Sequence, residues 1–179
     1  NLGPEFVYSR NWNFDEILVV EEARVRRRTS FARNVSLRAD VRREMERYGG
    51  INFDKTRYGF SGNVSTSRLF SVGANLNWGD QVRYGETPFL GEGSSGSLFM
   101  ALRPFSRLQS SINVNTSRLL DPTFQSEVFD VKIYRALTTY QFTVRLLLRN
   151  ILQHNSFSQT LGANILLTYR VNSGTVFFV

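Results

Sequence analysis

Along most of the chain, apolar and polar residues alternate one by one. The plainest case is Phe157–Arg170. There Leu161, Ala163, Ile165, Leu167 and Tyr169 fall on one side, and Thr160, Gly162, Asn164, Thr168 and Arg170 on the other. Side chains on a β-strand point alternately to its two faces, so this spelling predicts a ribbon with one apolar and one wet side. The preceding run, Phe142–His154, sets Val144, Leu146 and Leu148 against Arg145, Leu147 and Arg149. The two runs are expected to form a hairpin linked near Asn155. At about 3.3 Å per residue, each would span roughly 40 Å. That is long for a globular strand and suits a tilted strand crossing a bilayer.

The same rhythm predicts strands at Glu5–Asn11, Ile17–Phe31, Val35–Tyr48, Ile51–Thr66, Leu69–Trp78, Ser97–Arg103, Leu108–Ser117 and Glu127–Tyr140, and from Thr175 onward. A helix competes for Val35–Tyr48, which is rich in Arg and Glu, but the strict alternation of Val35, Leu37, Ala39 and Val41 with Ser36, Arg38, Asp40 and Arg42 favours a strand. In Glu127–Tyr140, Phe129, Val131 and Ile133 oppose Asp130, Lys132 and Tyr134, and the charged pair is placed with the wet face. Tight turns are expected at Ala32–Asn34, Gly49-Gly50, Pro104–Arg107 and Val171–Gly174. Gly79–Gly96, with Pro88 and five glycines, reads as a mobile loop, and Leu119–Ser126 as a second one. Phe31, Phe70, Phe105, Phe142 and Phe178 recur about every 37 residues, each near a turn. A hairpin with one short and one long connection would produce such a period.

These features predict an all-β fold. It is an antiparallel up-and-down meander of about 11 long strands, forming all or part of a transmembrane, outer-membrane β-barrel, with residues 1–179 as one domain. Short turns are expected at one end and longer loops at the other. A soluble up-and-down barrel shares the rhythm. What separates the two is the direction of the apolar face, inward in the soluble barrel and outward in the membrane one. Single-chain bacterial barrels have an even strand count, and hydrocarbon does not tolerate an open sheet edge. The chain is therefore read as a fragment of a longer one, as its lack of an initial Met and of a signal-like start also implies.

Composition narrows the choice. Hydrophobic residues make up 41% of the chain and no run of 18 apolar residues exists, so no transmembrane helix is expected. There is no cysteine, which excludes disulfides, thiolate metal sites and cysteine nucleophiles. With one histidine as well, no metal-ligand cluster is expected, and no cofactor. The net charge is +7, carried mostly by Arg spread over strands rather than gathered in a tail. That spread argues against nucleic acid and for membrane lipid as the main partner, with acidic glycan as another class of anion.

Leu146–Val179, Ser67–Tyr84 and Arg103–Leu119 resemble segments of a family of uncharacterised bacterial envelope proteins. Members pair an amino-terminal carbohydrate-binding-like β-sandwich with a carboxy-terminal β-barrel. The resemblance implies the barrel part without the sandwich, a sandwich domain of the same full-length protein as partner, and a place in the bacterial outer membrane. It implies no established activity.

Four sets of residues carry candidate chemistry. Arg24, Arg26, Arg28, Arg38 and Arg42, with Arg145 and Arg149, form a basic ladder able to line a lumen for anions or acidic sugars, as charged rings do in pores. Pairing with Glu22, Asp40 and Glu44 is the structural alternative. Trp78 with Asp80 could stack against and bind a sugar, or serve as an interface aromatic and a turn residue. His154 and Ser156 are two apart, the arrangement of an outer-membrane esterase or phospholipase nucleophile and base, against a polar cluster at a loop tip. Glu44 and Glu46 share a face but sit among Arg42, Arg43 and Arg47, which points to ion pairing. The expected function is an outer-membrane β-barrel domain acting as pore or membrane anchor, in glycan handling. The alternatives are an outer-membrane hydrolase, and a soluble β-sheet module that binds acidic glycan or nucleic acid.

Overall fold

The computed structural model describes residues 3–14, 17–31, 34–65, 67–123, 126–172 and 175–178. Eleven strands follow one another: β1 Pro4–Trp12, β2 Leu18–Phe31, β3 Val35–Tyr48, β4 Ile51–Val64, β5 Phe70–Arg83, β6 Phe89–Phe105, β7 Leu108–Asp121, β8 Ser126–Gln141, β9 Leu146–Asn155, β10 Thr160–Asn172 and β11 Thr175–Phe178. They lie in one sheet in sequence order, each antiparallel to the next. Among the described residues there is no helix, and β1 and β11 each have one ladder partner. The all-β meander read from the alternation is the observed fold.

β3 is a strand over Val35–Tyr48, so alternation outweighs the helix propensity of its Arg and Glu. The alternation of Val35, Leu37, Ala39 and Val41 with Ser36, Arg38, Asp40 and Arg42 suits a pleated two-faced strand, and that context decides the backbone. Gly49 and Gly50 close the β3–β4 hairpin with φ of 58° and 82°. Positive φ at both central residues gives the turn whose twist matches the flanking strands, and glycine enters it without steric cost.

The sheet is sheared. The ladder row that starts at Val35 passes through Val64, Val72, Met100, Ile112 and Ala136 to reach Leu152, well inside β9. Strands tilted against their hydrogen-bonding direction produce such a stagger, as closed barrels require.

Two expectations need correction. Gly79–Gly96 is not a loop: β5 runs to Arg83 and β6 starts at Phe89. At four of its five glycines, Gly79, Gly91, Gly93 and Gly96, neighbouring atoms occupy the space a Cβ would need. Gly91 lies under Leu119 and the Leu120 carbonyl, and Gly96 lies against Leu76 and Thr116. Leu119–Ser126 likewise shrinks to the four residues 122–125 between β7 and β8. The connections at both ends are therefore short, and the expected contrast between short turns and long loops is absent. The turns expected at Ala32–Asn34 and Val171–Gly174 fall partly outside the described residues.

β4 and β5 part company at Gly79, which has φ 122° and a site where a Cβ would strike the Thr56 carbonyl. Asp80 Oδ2 there accepts the Thr56 N–H at 2.8 Å, in place of a ladder carbonyl. Beyond Gly79, the β5–β6 hairpin leans toward β3. The Tyr84 hydroxyl donates to Glu46 at 2.8 Å, and the Tyr48 and Tyr84 rings meet edge to face, 5.0 Å apart. Among the described residues, the buried hydrophobic ones, Phe53, Val82 and Leu119, lie in this region.

Candidate functional site

Ladder register sorts every strand into two faces. One row holds Phe6, Val25, Val41, Tyr58 and Trp78. Another holds Leu37, Gly62, Ala74, Leu98, Val114, Tyr134, His154 and Leu161. These apolar side chains are open to the surroundings: Phe6 is 74% exposed, Leu161 75% and Ile165 68%. The opposite face carries Glu22, Arg24, Arg26, Arg28, Arg38, Asp40, Arg42, Lys55, Asn75, Asn77, Asn113, Asn115 and Arg149.

The polar face is the more sheltered one. Lys55 is only 5% exposed, held by Glu44 at 3.2 Å and by Glu46. Arg24 reaches Glu22 at 2.7 Å, both side chains being 18% exposed, and Arg42 approaches the same carboxylate at 3.5 Å. Arg26 pairs with Glu5 at 3.5 Å. The Nε atoms of Arg24, Arg26, Arg38 and Arg42 are out of reach of solvent and make no hydrogen bond. Arg28 stands directly across from Arg38, and Arg24 across from Arg42. Like charges set opposite on neighbouring strands repel, so this face holds positive potential that Glu22 only partly offsets. Asp40, expected to neutralise the ladder, lies over Gly59 with no ion pair among the described residues.

The structure brings the other candidates together in part. Arg149 is on the polar face in β9, but Arg145 lies in the β8–β9 connection, where its carbonyl accepts from the Arg170 N–H at 2.8 Å. With Arg170 both arginines line a cavity of about 340 Å³. Trp78 lies within β5 and stacks on Tyr58, with ring centroids 5.8 Å apart. Trp78 and Asp80 do share a cavity, of about 360 Å³, with Glu92 and Arg118. Asp80 begins no turn; its carboxylate accepts the Thr56 N–H. His154 is on the apolar face beside Tyr134, with ring centroids 6.1 Å apart. Ser156 belongs to the β9–β10 connection, and its hydroxyl accepts the Lys132 N–H at 2.8 Å. No hydrogen bond joins His154 and Ser156 among the described residues.

In β8 the faces are reversed from expectation. Asp130 and Lys132, 2.9 Å apart, face out with Arg118 and Thr116, whereas Phe129, Val131 and Ile133 lie on the polar side opposite Leu119, Ser117 and Asn115. Burial raises the Tyr84 phenol, and its hydrogen bond to the Glu46 carboxylate adds to the shift, up to about 12. Sequence reasoning passed over Lys55 and Tyr84. Their signal was the ladder itself, which opposes Glu44 to Lys55 across β3 and β4.

No described group of His, Cys, Asp and Glu could hold a metal ion. Among the described residues, no helix is long and apolar enough to cross a membrane. No family model matches the chain, and neither does any curated protein or solved structure.

Proposed function

We propose that this chain is an outer-membrane β-barrel domain, acting as a pore or as the membrane anchor of a carbohydrate-binding-like sandwich domain. One observation carries the reading: the apolar face is exposed and the ionic face is sheltered. Water selects the opposite arrangement, and soluble monomers seldom expose apolar patches beyond a few hundred Å². Hydrocarbon selects this one. Aromatic residues support it. Phe31, Phe70, Phe105 and Phe142 lie at one end of the sheet, and Trp12, Tyr48 and Tyr84 at the other, the two levels that interfacial rings occupy. Strands of 14 to 17 residues exceed the roughly 9–11 that cross the hydrocarbon. A bilayer also requires that the free edges of β1 and β11 be paired, with each other or with further strands.

Trp78, on the apolar face, tests the reading. In a Trp12→Phe variant reconstituted into vesicles with brominated acyl chains, Trp78 emission is expected to be quenched by the lipid and untouched by iodide. A detergent-free, monomeric chain whose Trp78 is quenched by iodide would exclude the membrane reading.

A further inference from the structure

Charge is divided between the two ends of the sheet. The connections at one end are 32–34, 65–69, 106–107, 142–145 and 173–174; their sequences contain no Asp or Glu, while Arg33, Arg68, Arg107 and Arg145 stand in four of them. The connections at the other end contain no Lys or Arg. On the polar face the carboxylates of Glu22, Glu44 and Glu46 all pair with cations. At the basic end, cavities lined by Arg28 and Arg38, by Arg68 and Arg103, and by Arg145, Arg149 and Arg170 have no carboxylate in their walls.

The middle one is the largest of the three, about 560 Å³. Arg68 and Arg103 line it with Ser71, Ser111 and Gln109. Phe99, on the polar side of the sheet, is 43% exposed and belongs to the same wall. Guanidinium groups clamp carboxylates, hydroxyls and amides match ring hydroxyls, and an exposed aromatic face accepts the C–H side of a pyranose. A lipid headgroup would need apolar wall for its chains, and Phe99 and Ala101 alone supply little. Single-stranded nucleic acid needs successive stacking rings, and this wall has one.

We propose that this cleft binds a sugar bearing a carboxylate, with the acid between Arg68 and Arg103 and the ring over Phe99. The inference goes beyond the membrane reading and is tested on the purified chain in detergent, so neither outcome depends on a bilayer. Calorimetric titration with digalacturonate is expected to show one saturable site that weakens with salt, and neutral galactobiose should bind at least tenfold more weakly. The Arg68→Gln/Arg103→Gln double variant should lose at least tenfold, Phe99→Ala severalfold, and Arg107→Gln, at the same end but outside the cleft, less than twofold. No saturable binding would overturn the proposal, as would parental affinity in the double variant. A loss in Arg107→Gln equal to that of the double variant would reduce the effect to general attraction. Displacement by equimolar inorganic phosphate, with Phe99→Ala unchanged, would reduce it to an unspecific oxyanion site.

Discussion

The two faces of this sheet are made by the same strands, yet they obey opposite rules. On one, Leu161, Ile165 and Phe6 stand open. On the other, Lys55 and Arg24 are tucked among carboxylates and neighbouring strands. A soluble sheet hides the first kind of residue and wets the second. Under the proposed membrane reading, the difference teaches that the surroundings of the apolar face, more than any core, favour the fold. Among the described residues, Phe53, Val82 and Leu119 alone form a dry interior, and they sit where the β5–β6 hairpin leans toward β3. In the membrane setting proposed above, hydrocarbon against the apolar face supplements that small interior.

The contrast breaks most sharply at Lys55. Lys55→Ala leaves Glu44 and Glu46 facing each other with little solvent, and removal of one partner from a buried pair costs about 3–5 kcal/mol. Denaturant titration in detergent should show a loss of that size; less than about 1 kcal/mol would mean that the polar face is wetter than its geometry indicates. On the apolar face, Ile165→Arg should cost about 2–4 kcal/mol when the chain is unfolded from a bilayer, the expense of a cation near mid-membrane. In water the same exposed substitution would change stability by less than about 0.5 kcal/mol, so this variant separates the two settings. Asp80→Ala removes the acceptor of the Thr56 N–H where the β4–β5 ladder ends. A loss of about 1–2 kcal/mol is expected, and a neutral result would show that this contact does not hold β5 to β4.

The smallest effect is a pH slope. The Tyr84 phenol titrates near its ordinary 10 when unfolded and near 12 when folded. Between those values the unfolded chain releases a proton that the folded chain keeps, so stability falls as pH rises from 10 toward 12 and is complete below 10. In Tyr84→Phe the unfolding midpoint should be flatter over that window. An unchanged slope would assign it to other groups.

Much of the fold could be read directly from alternation. β3 begins and ends where Val35–Tyr48 said it would, because period two survives any choice of exposed residue. β8 shows the limit. Phe129, Val131 and Ile133 look like an apolar face, but the ladder sets them opposite Leu119, Ser117 and Asn115 on the polar side, and no single strand reveals its neighbour's phase. Gly79–Gly96 read as a loop because glycine marks turns in sequence, whereas here it makes room for Leu119 and Gln81. The arginine ladder was legible, and so was its position on one face. The cleft of Arg68 and Arg103 was not, because its walls come from β5, β6, β7 and the β4–β5 connection, whose lateral alignment depends on register.

The central claim is that Leu161, Ala163, Ile165 and Leu167 meet hydrocarbon while Gly162 and Asn164 meet water. The absence of native cysteine allows each position to be replaced singly by Cys and nitroxide-labelled. Electron paramagnetic resonance in bilayers then reads access to oxygen, which dissolves in lipid, against a nickel chelate, which stays in water. The account predicts strict alternation, with oxygen at 161, 163, 165 and 167 and nickel at 162 and 164. Nickel access at all six positions, or the opposite phase, would contradict it.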